Sequence, residues 1–297
     1  NATYGDWLAY EPTDARYISV AYYALDARYM AAMSRAIDRA DRAAHYDNLF
    51  EQVRDHFRRI YCNAEGDLNP EVRTQTGYLL ALRNDLLLPE RRPAAVAALK
   101  QKIIDNGYKL STGFVGSCIL NEVLAEFGEN DLAYSLLLQT ENPSWLYSVH
   151  QGATTIWERW NSYTKATGFG DVGMNSFNHY AYGAVQEWMY RHIAGIETTE
   201  QAPGFAHPIL QPKPDTRSAE EIPAGQEKIT WVRTSFASPV GLIESAWDMT
   251  DGFTYTCRVP VAATLHLPLI GSAETLVING VAHKPDEFRL CPVGKGV

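Results

Sequence analysis

The sequence predicts a mainly α-helical domain followed by a small antiparallel β domain, and three observations carry that prediction. Apolar residues recur at helical spacing from Thr13 to Ile193. Prolines then gather between Ile196 and Lys228, at Pro203, Pro208, Pro212, Pro214 and Pro223, marking an extended connection. Beyond it the apolar period shortens to that of strands.

The helical elements follow in order. Behind Thr13 as N-cap, Ile18, Tyr22, Leu25, Tyr29, Met33 and Ile37 form one stripe, and Tyr46, Leu49, Phe50, Val53, Phe57 and Ile60 form a second. Shorter helices are expected over Thr74 to Leu88, stopped by Pro89, and over Arg92 to Asn106, opened by Pro93 and closed by Gly107. Gly113 to Phe127, Asn130 to Gln139 and Met174 to Ile193 complete seven helices. Short links between them imply antiparallel hairpins, as in a bundle, a solenoid or an α/α toroid, and the lack of a fixed repeat argues against a solenoid.

Strands are expected over Lys228 to Thr234, Gly241 to Trp247, Phe253 to Val259, Ala263 to Pro268 and Thr275 to Ile278. Asn279 and Gly280 supply a hairpin turn after the last of these.

Composition narrows the function. A chain of 297 residues, 46% hydrophobic and 21% charged, buries a sizeable core. Its formal net charge of −9 disfavours nucleic acid and other polyanions as partners. No apolar run approaches the roughly 20 residues of a membrane span. No signal-peptide pattern opens the chain, which leans towards the cytoplasm and leaves the compartment open. Cys62, Cys118, Cys257 and Cys291 stand far apart, without metal-ligand spacing, and read as buried free thiols. Neither a metal nor another cofactor is implied.

One stretch concentrates chemistry. In "GATTIWERWNS" the carboxylate of Glu158 stands between Trp157 and Trp160 and beside Arg159. Three β-branched residues, Thr154, Thr155 and Ile156, favour an extended segment whose alternation puts Glu158 and Trp160 on one face. Aromatic faces stack on the C–H faces of sugar rings while a carboxylate addresses a polar atom, a pairing suited to glycoside chemistry. A buried Arg–Glu pair beneath core tryptophans fits the same motif equally well.

Two further stretches add polar groups. "GMNSFNHYAYG" crowds Asn175, Ser176, Asn178, His179 and Tyr180 at the expected start of the last helix, where Asn175 or Ser176 also serves as a simple cap. "YGDW" sets Asp6 beside Trp7 ahead of the first helix. "TQTGY" and "STGF" each place Thr-Gly-aromatic before a helix, a pattern that fits helix-start sterics best and, as the alternative, a loop at the same rim where Thr112 and Gly113 shape the pocket.

Taken together, "YGDW", "TQTGY", "LSTGFVGS", "DLAYSLLLQ", "PSWLYSV", "GATTIWERW" and "MNSFNHYAYGAVQEW" resemble, in order, the bacterial α-L-rhamnosidases of glycoside hydrolase family 78. "SPVGLIESAW" is similar to the C-terminal β-sandwich domain of that family. The resemblance implies a partial (α/α)6 barrel over residues 1–196, a linker over 197–228 and a β-sandwich over 229–297. It also implies inverting hydrolysis of terminal α-L-rhamnosides, with Glu158 as general base and Trp7 and His179 lining the sugar pocket. Asp6, Trp157 and Trp160 are further substrate-binding candidates.

The family's general acid lies upstream of the matched segments, so these residues are expected to lack it, to be either part of a longer enzyme or a naturally shortened relative, and to be inactive alone. Open barrel faces would then favour self-association. Two rival readings remain: a sugar-binding or scaffold remnant, and a polysaccharide lyase using Asn178, His179 and Tyr180, which the acidic balance disfavours.

Overall fold

The computed structural model describes residues 4–270, 276–278, 281–283 and 291–292. Contacts divide it into two units, Asn1–Val123 with Gln139–Gly183, and Leu124–Leu138 with Ala184–Val297. Among the described residues there are eight α-helices: α1 (Ala15–Ala36), α2 (Ala40–Tyr61), α3 (Gln75–Arg83), α4 (Arg92–Asp105), α5 (Phe114–Glu126), α6 (Asn130–Leu137), α7 (Trp145–His150) and α8 (Val185–Trp188).

The first unit is built from helical hairpins. Helix α1 is capped by Asp14 rather than the expected Thr13, since the Asp14 carboxylate accepts from the amides of Arg16 and Tyr17 at 2.8 and 2.9 Å. Thr13 instead shares a 2.5 Å hydrogen bond with Thr74. The buried face of α1 also differs from the expected stripe. Ala21, Ala24, Ala27 and Ala31 are buried with Tyr17 and Ile18, while Tyr22, Tyr29, Met33 and Ile37 are exposed. Small side chains let α1 and its partner α2 approach closely, and the approach selects the alanine face. On α2, Val53 and Phe57 are buried as expected, whereas Ile60 is exposed.

Helix α3 begins after Thr74, whose hydroxyl accepts from the Gly77 amide at 2.9 Å. A Cβ on Gly77 would stand 2.0 Å from the Val72 carbonyl oxygen, so the Thr-Gly pair is a packing requirement at this helix start. The helix ends at Arg83 rather than Leu88, with a single 3-10 turn at Pro89–Arg91 leading into α4. Helix α7 lies where no helix was expected. Conversely, the stretch expected to be one helix from Met174 stays irregular up to Tyr180. Helical turns begin only at Ala181, as a 3-10 turn (Ala181–Ala184), α8 and a π turn (Met189–Ile193).

The second unit carries the sheets. Strands β1 (Tyr163–Thr164) and β2 (Gly168–Phe169) form a small hairpin of the first unit. In the second, β3 (Ile196–Glu197) pairs antiparallel with β4 (Ile209–Leu210), and β4 pairs parallel with β8 (Thr264–Leu265). Strands β5 (Trp231–Ser238), β6 (Gly241–Asp248) and β7 (Thr254–Arg258) form an antiparallel meander. The two sheets enclose Ala194, Ile196, Leu210 and Ile243, with Val232, Phe236 and Tyr255 packed on them. Alternation along β6 buries Ile243, Ser245 and Trp247 on one face.

Of the remaining strands, β9 (Pro268–Leu269) pairs parallel with β12 (Cys291–Pro292), and β10 (Leu276–Ile278) pairs antiparallel with β11 (Val281–His283). The turn expected at Asn279 and Gly280 lies outside the described residues.

The proline-rich connection also holds structure. Arg217 and Asp215 form a buried ion pair at 2.7 Å, and Arg217 further donates to Ser135, Gln226 and the Glu227 carbonyl. A buried pair with its remaining donors satisfied holds the connection against α6.

The thiols depart from the buried reading. Cys257 is exposed and Cys62 and Cys118 are half-buried. Partial burial still pushes the Cys62 thiol up to about 11, so it stays protonated and unreactive near neutrality. The side chain of Cys291 lies outside the described residues.

Candidate active site

The loop carrying Asp6 and Trp7 caps α5. The Asp6 carboxylate accepts from the amides of Gly113 (2.9 Å), Val115 (2.8 Å) and Gly116 (3.1 Å) and from the Thr76 hydroxyl (2.5 Å). The remaining unpaired amide of this helix start, on Phe114, donates to the Trp7 carbonyl at 3.0 Å. All the amides that an α-helix leaves open at its start are thereby answered, three of them by one negative charge at the positive end of the helix dipole. Gly113 makes this approach feasible, because a Cβ there would lie 2.1 Å from the Trp7 carbonyl oxygen. Asp6 is therefore buried and fully engaged, while the Trp7 ring is 36% exposed beside Tyr4.

The Glu158 segment is tied to the 171–180 loop. The Glu158 amide donates to the Ser176 carbonyl (2.8 Å), the Ser176 amide donates back to Glu158 Oε2 (2.7 Å), and the His179 amide donates to the Ile156 carbonyl (2.9 Å). Thr155 Oγ1 donates to the Phe177 carbonyl at 2.5 Å. These cross-links take up the backbone groups that a helix would have used internally, which is why no helix forms before Ala181. Arg159 fastens the near side of the loop, donating to the Met174 carbonyl at 3.2 Å and facing Asp171 at 3.5 Å.

Glu158 is half-buried, and Oε1 has no hydrogen-bond partner among the described residues. The expected alternation does not extend to Trp160, because the chain turns after Glu158 and the Ser162 amide donates to the Arg159 carbonyl. Trp157 and Trp160 share the buried side instead, at 8% and 6% exposure. Trp160 stacks on Tyr182 at 3.8 Å, meets Trp145 edge-on and donates its Nε1–H to the Thr112 carbonyl. Trp157 packs edge-on against Phe177. Both tryptophans thus support the segment from beneath.

His179 joins the two halves of the site. Its ring stacks on Phe114 at 4.8 Å, and Phe114 is the residue whose amide the Trp7 carbonyl receives. His179 Nδ1 accepts from the Ala181 amide at 3.3 Å, which places the proton of the neutral ring on Nε2 as a donor. Phe114 was missed by sequence reasoning as a site residue. Its only signal was the Thr-Gly-aromatic pattern, which says nothing of a ring beneath His179.

The family model for the bacterial alpha-L-rhamnosidase 6 hairpin glycosidase domain matches residues 1–193, and that for the bacterial alpha-L-rhamnosidase C-terminal domain matches residues 195–281. The chain belongs to the bacterial α-L-rhamnosidase family. Among curated relatives of this family, an alpha-L-rhamnosidase of Formosa agariphila is 39% identical over 257 residues, covering 84% of this chain and 26% of the relative. One from Alteromonas sp. is 35% identical, covering 87% and 28%. The crystal structure of Streptomyces avermitilis alpha-L-rhamnosidase complexed with L-rhamnose superposes with a TM-score of 0.80 at 37% identity, covering 89% of this chain and 24% of that one. Native rhamnosidase from Aspergillus terreus gives 0.80 at 31% identity, covering 90% and 31%. The chain thus spans about a quarter of the length of the curated rhamnosidases it matches. Its mainly α architecture of helical hairpins followed by a β domain is that of the family.

Proposed function

We propose that these residues carry the water-activating half of an inverting glycosidase site for terminal α-L-rhamnosides, with Glu158 as general base. The observation that supports this reading is the state of the Glu158 carboxylate. The Ser176 amide fixes one oxygen, and the other has no hydrogen-bond partner among the described residues. A base that must receive a proton from water needs such a fixed but uncapped oxygen.

In this reading water bound at Oε1 attacks the anomeric carbon and gives its proton to Glu158. The Nε2–H of His179 and the exposed ring of Trp7 hold the sugar. Asp6, Trp157 and Trp160 act from behind, shaping the loop and segment that present these groups. An inverting site places its acid about 6.5–9.5 Å from the base, leaving room for the water. We propose that this acid is supplied from outside these 297 residues. The division into barrel residues up to 196, a connection over 197–228 and a β domain after it belongs to the same proposal.

The test is release of nitrophenol from an aryl α-L-rhamnoside, comparing this chain with a longer protein that contains it. Turnover is expected from the longer protein, with the β-anomer of L-rhamnose as first product by proton NMR, and with loss on Glu158→Gln. The 297 residues alone are expected to bind rhamnose without turnover. Turnover that survives Glu158→Gln would overturn the assignment of the base, and the α-anomer as first product would overturn inversion.

A further inference from the structure

His179 and Trp7 come from distant parts of the chain, yet one residue of the first unit supports both. The Phe114 amide donates to the Trp7 carbonyl at 3.0 Å, and the Phe114 ring stacks on the His179 imidazole at 4.8 Å and 30°. The loop carrying Trp7 cannot slide along α5 without losing that amide, because Asp6 holds the next two amides, of Val115 and Gly116.

The polar contacts of His179 do not fix its ring on their own. Nδ1 receives the Ala181 amide at 3.3 Å, and this is the ring's one hydrogen bond among the described residues. That distance exceeds the roughly 2.7–3.2 Å of an ordinary N–H hydrogen bond. The His179 amide is tied to the Ile156 carbonyl, which fixes the backbone and leaves both side-chain torsions free to turn. Tyr180 also stacks on the imidazole, at 5.3 Å, but it is 88% exposed and hangs from the same loop, so it offers no independent reference.

Phe114 supplies that reference. It is the first residue of α5, and its ring meets Tyr182 edge-on at 5.2 Å and 80°. Tyr182 is 2% exposed, stacks on Trp160 and has its carbonyl taken by Trp145 Nε1 at 2.8 Å. A ring braced against close-packed aromatics keeps its rotamer, and an imidazole laid on it is held near one plane before any sugar arrives.

We propose that Phe114 is a positioning residue for the sugar contacts. Its amide holds Trp7 and its ring holds His179, so the start of α5 sets the spacing between the two. The imidazole then needs no further ordering when the sugar binds. Phe114 acts through His179 and not on the reacting atoms, and the inference rests on the reading of His179 as a sugar contact.

A double-mutant cycle in a longer, active protein that contains these residues tests this, read by the kinetics of aryl α-L-rhamnoside hydrolysis. Phe114→Leu is expected to raise KM about fivefold and to leave kcat within a factor of about two, since an unplaced imidazole weakens binding. In the His179→Ala background the same substitution is expected to change KM by less than about 1.5-fold, because the ring it supports is gone. Thermal unfolding of each variant separates loss of fold from loss of placement. Phe114→Met, which fills the space without a ring, takes the place of a leucine variant that does not fold.

A KM effect of Phe114→Leu that persists in the His179→Ala background would overturn the positioning role and leave the sugar reading intact. So would an unchanged KM, or a loss confined to kcat, beside a clear rise in KM with His179→Ala. If His179→Ala itself leaves KM unchanged, the reading of His179 as a sugar contact fails and the positioning role fails with it. A longer protein that neither hydrolyses nor binds α-L-rhamnosides would overturn both.

Discussion

The loop at Asp6 and the segment at Glu158 start from the same material, an acid next to a tryptophan, and reach opposite states. Asp6 is 6% exposed and accepts four hydrogen bonds, three of them from the amides that open α5. Glu158 is half-buried and, among the described residues, accepts one, from Ser176, with Oε1 left over. A carboxylate surrounded by donors is a fastening, since its lone pairs are already taken up by hydrogen bonds. A carboxylate fixed by one donor keeps its geometry and its capacity to react. The difference lies in how many backbone amides converge on each acid.

The comparison breaks first at Glu158. In a longer, active protein, Glu158→Gln is expected to reduce hydrolysis by about 10³-fold while leaving the unfolding transition nearly unchanged. A large loss of stability in that variant would make Glu158 a fastening like Asp6. The converse substitution, Asp6→Ala, strands three amides and the Thr76 hydroxyl and should destabilise the fold by about 3 kcal/mol in urea unfolding. If stability held while rhamnose affinity fell, Asp6 would belong to the sugar pocket.

A smaller effect is expected at Arg159, which fastens the loop that delivers the Ser176 amide. Arg159→Gln should lower kcat about tenfold with KM little changed, because it loosens the base and not the sugar contacts. A change confined to KM would assign Arg159 to binding.

The smallest effect is expected at another helix start, in the second unit. Asp131 lies in the first turn of α6, and its carboxylate accepts from Thr216 Oγ1, at 3.1 and 3.3 Å. Burial, the dominant influence, raises its carboxyl above the ordinary 3.8. The folded state then holds the proton more tightly than the unfolded state, so this contribution to stability is full in acid and falls as pH rises from about 4 through the raised value. Asp131→Asn should flatten that part of the pH dependence of the melting temperature. An unchanged profile would show that Asp131 titrates as if exposed.

Much of the first unit was legible in the sequence. The apolar period located α1, α2, α4 and α5 to within a few residues, and Pro93 and Gly107 marked the two ends of α4, whereas Pro89 did not mark the end of α3. Glu158, His179 and Trp7 were proposed as a set because several motifs in order resemble one family, and the family models bear out the membership. The stripe on α1 misled, because alanine carries little weight in a hydrophobic pattern and becomes the buried face only when another helix comes close. The 171–180 stretch misled for a related reason, its helix-like composition giving way to cross-links with a segment some twenty residues earlier in the chain.

The sequence by itself determined α1, α2, α4 and α5, the change to strands after the proline-rich connection, and the family, because periodicity, helix punctuation and motif order are local properties of the chain. The tertiary structure alone decided which acid is fastened and which has an oxygen to spare, that Phe114 lies under His179, and that Trp157 and Trp160 are buried supports. Those outcomes depend on backbone amides and rings brought together from positions far apart in sequence, and a carboxylate's chemistry is set by the donors around it.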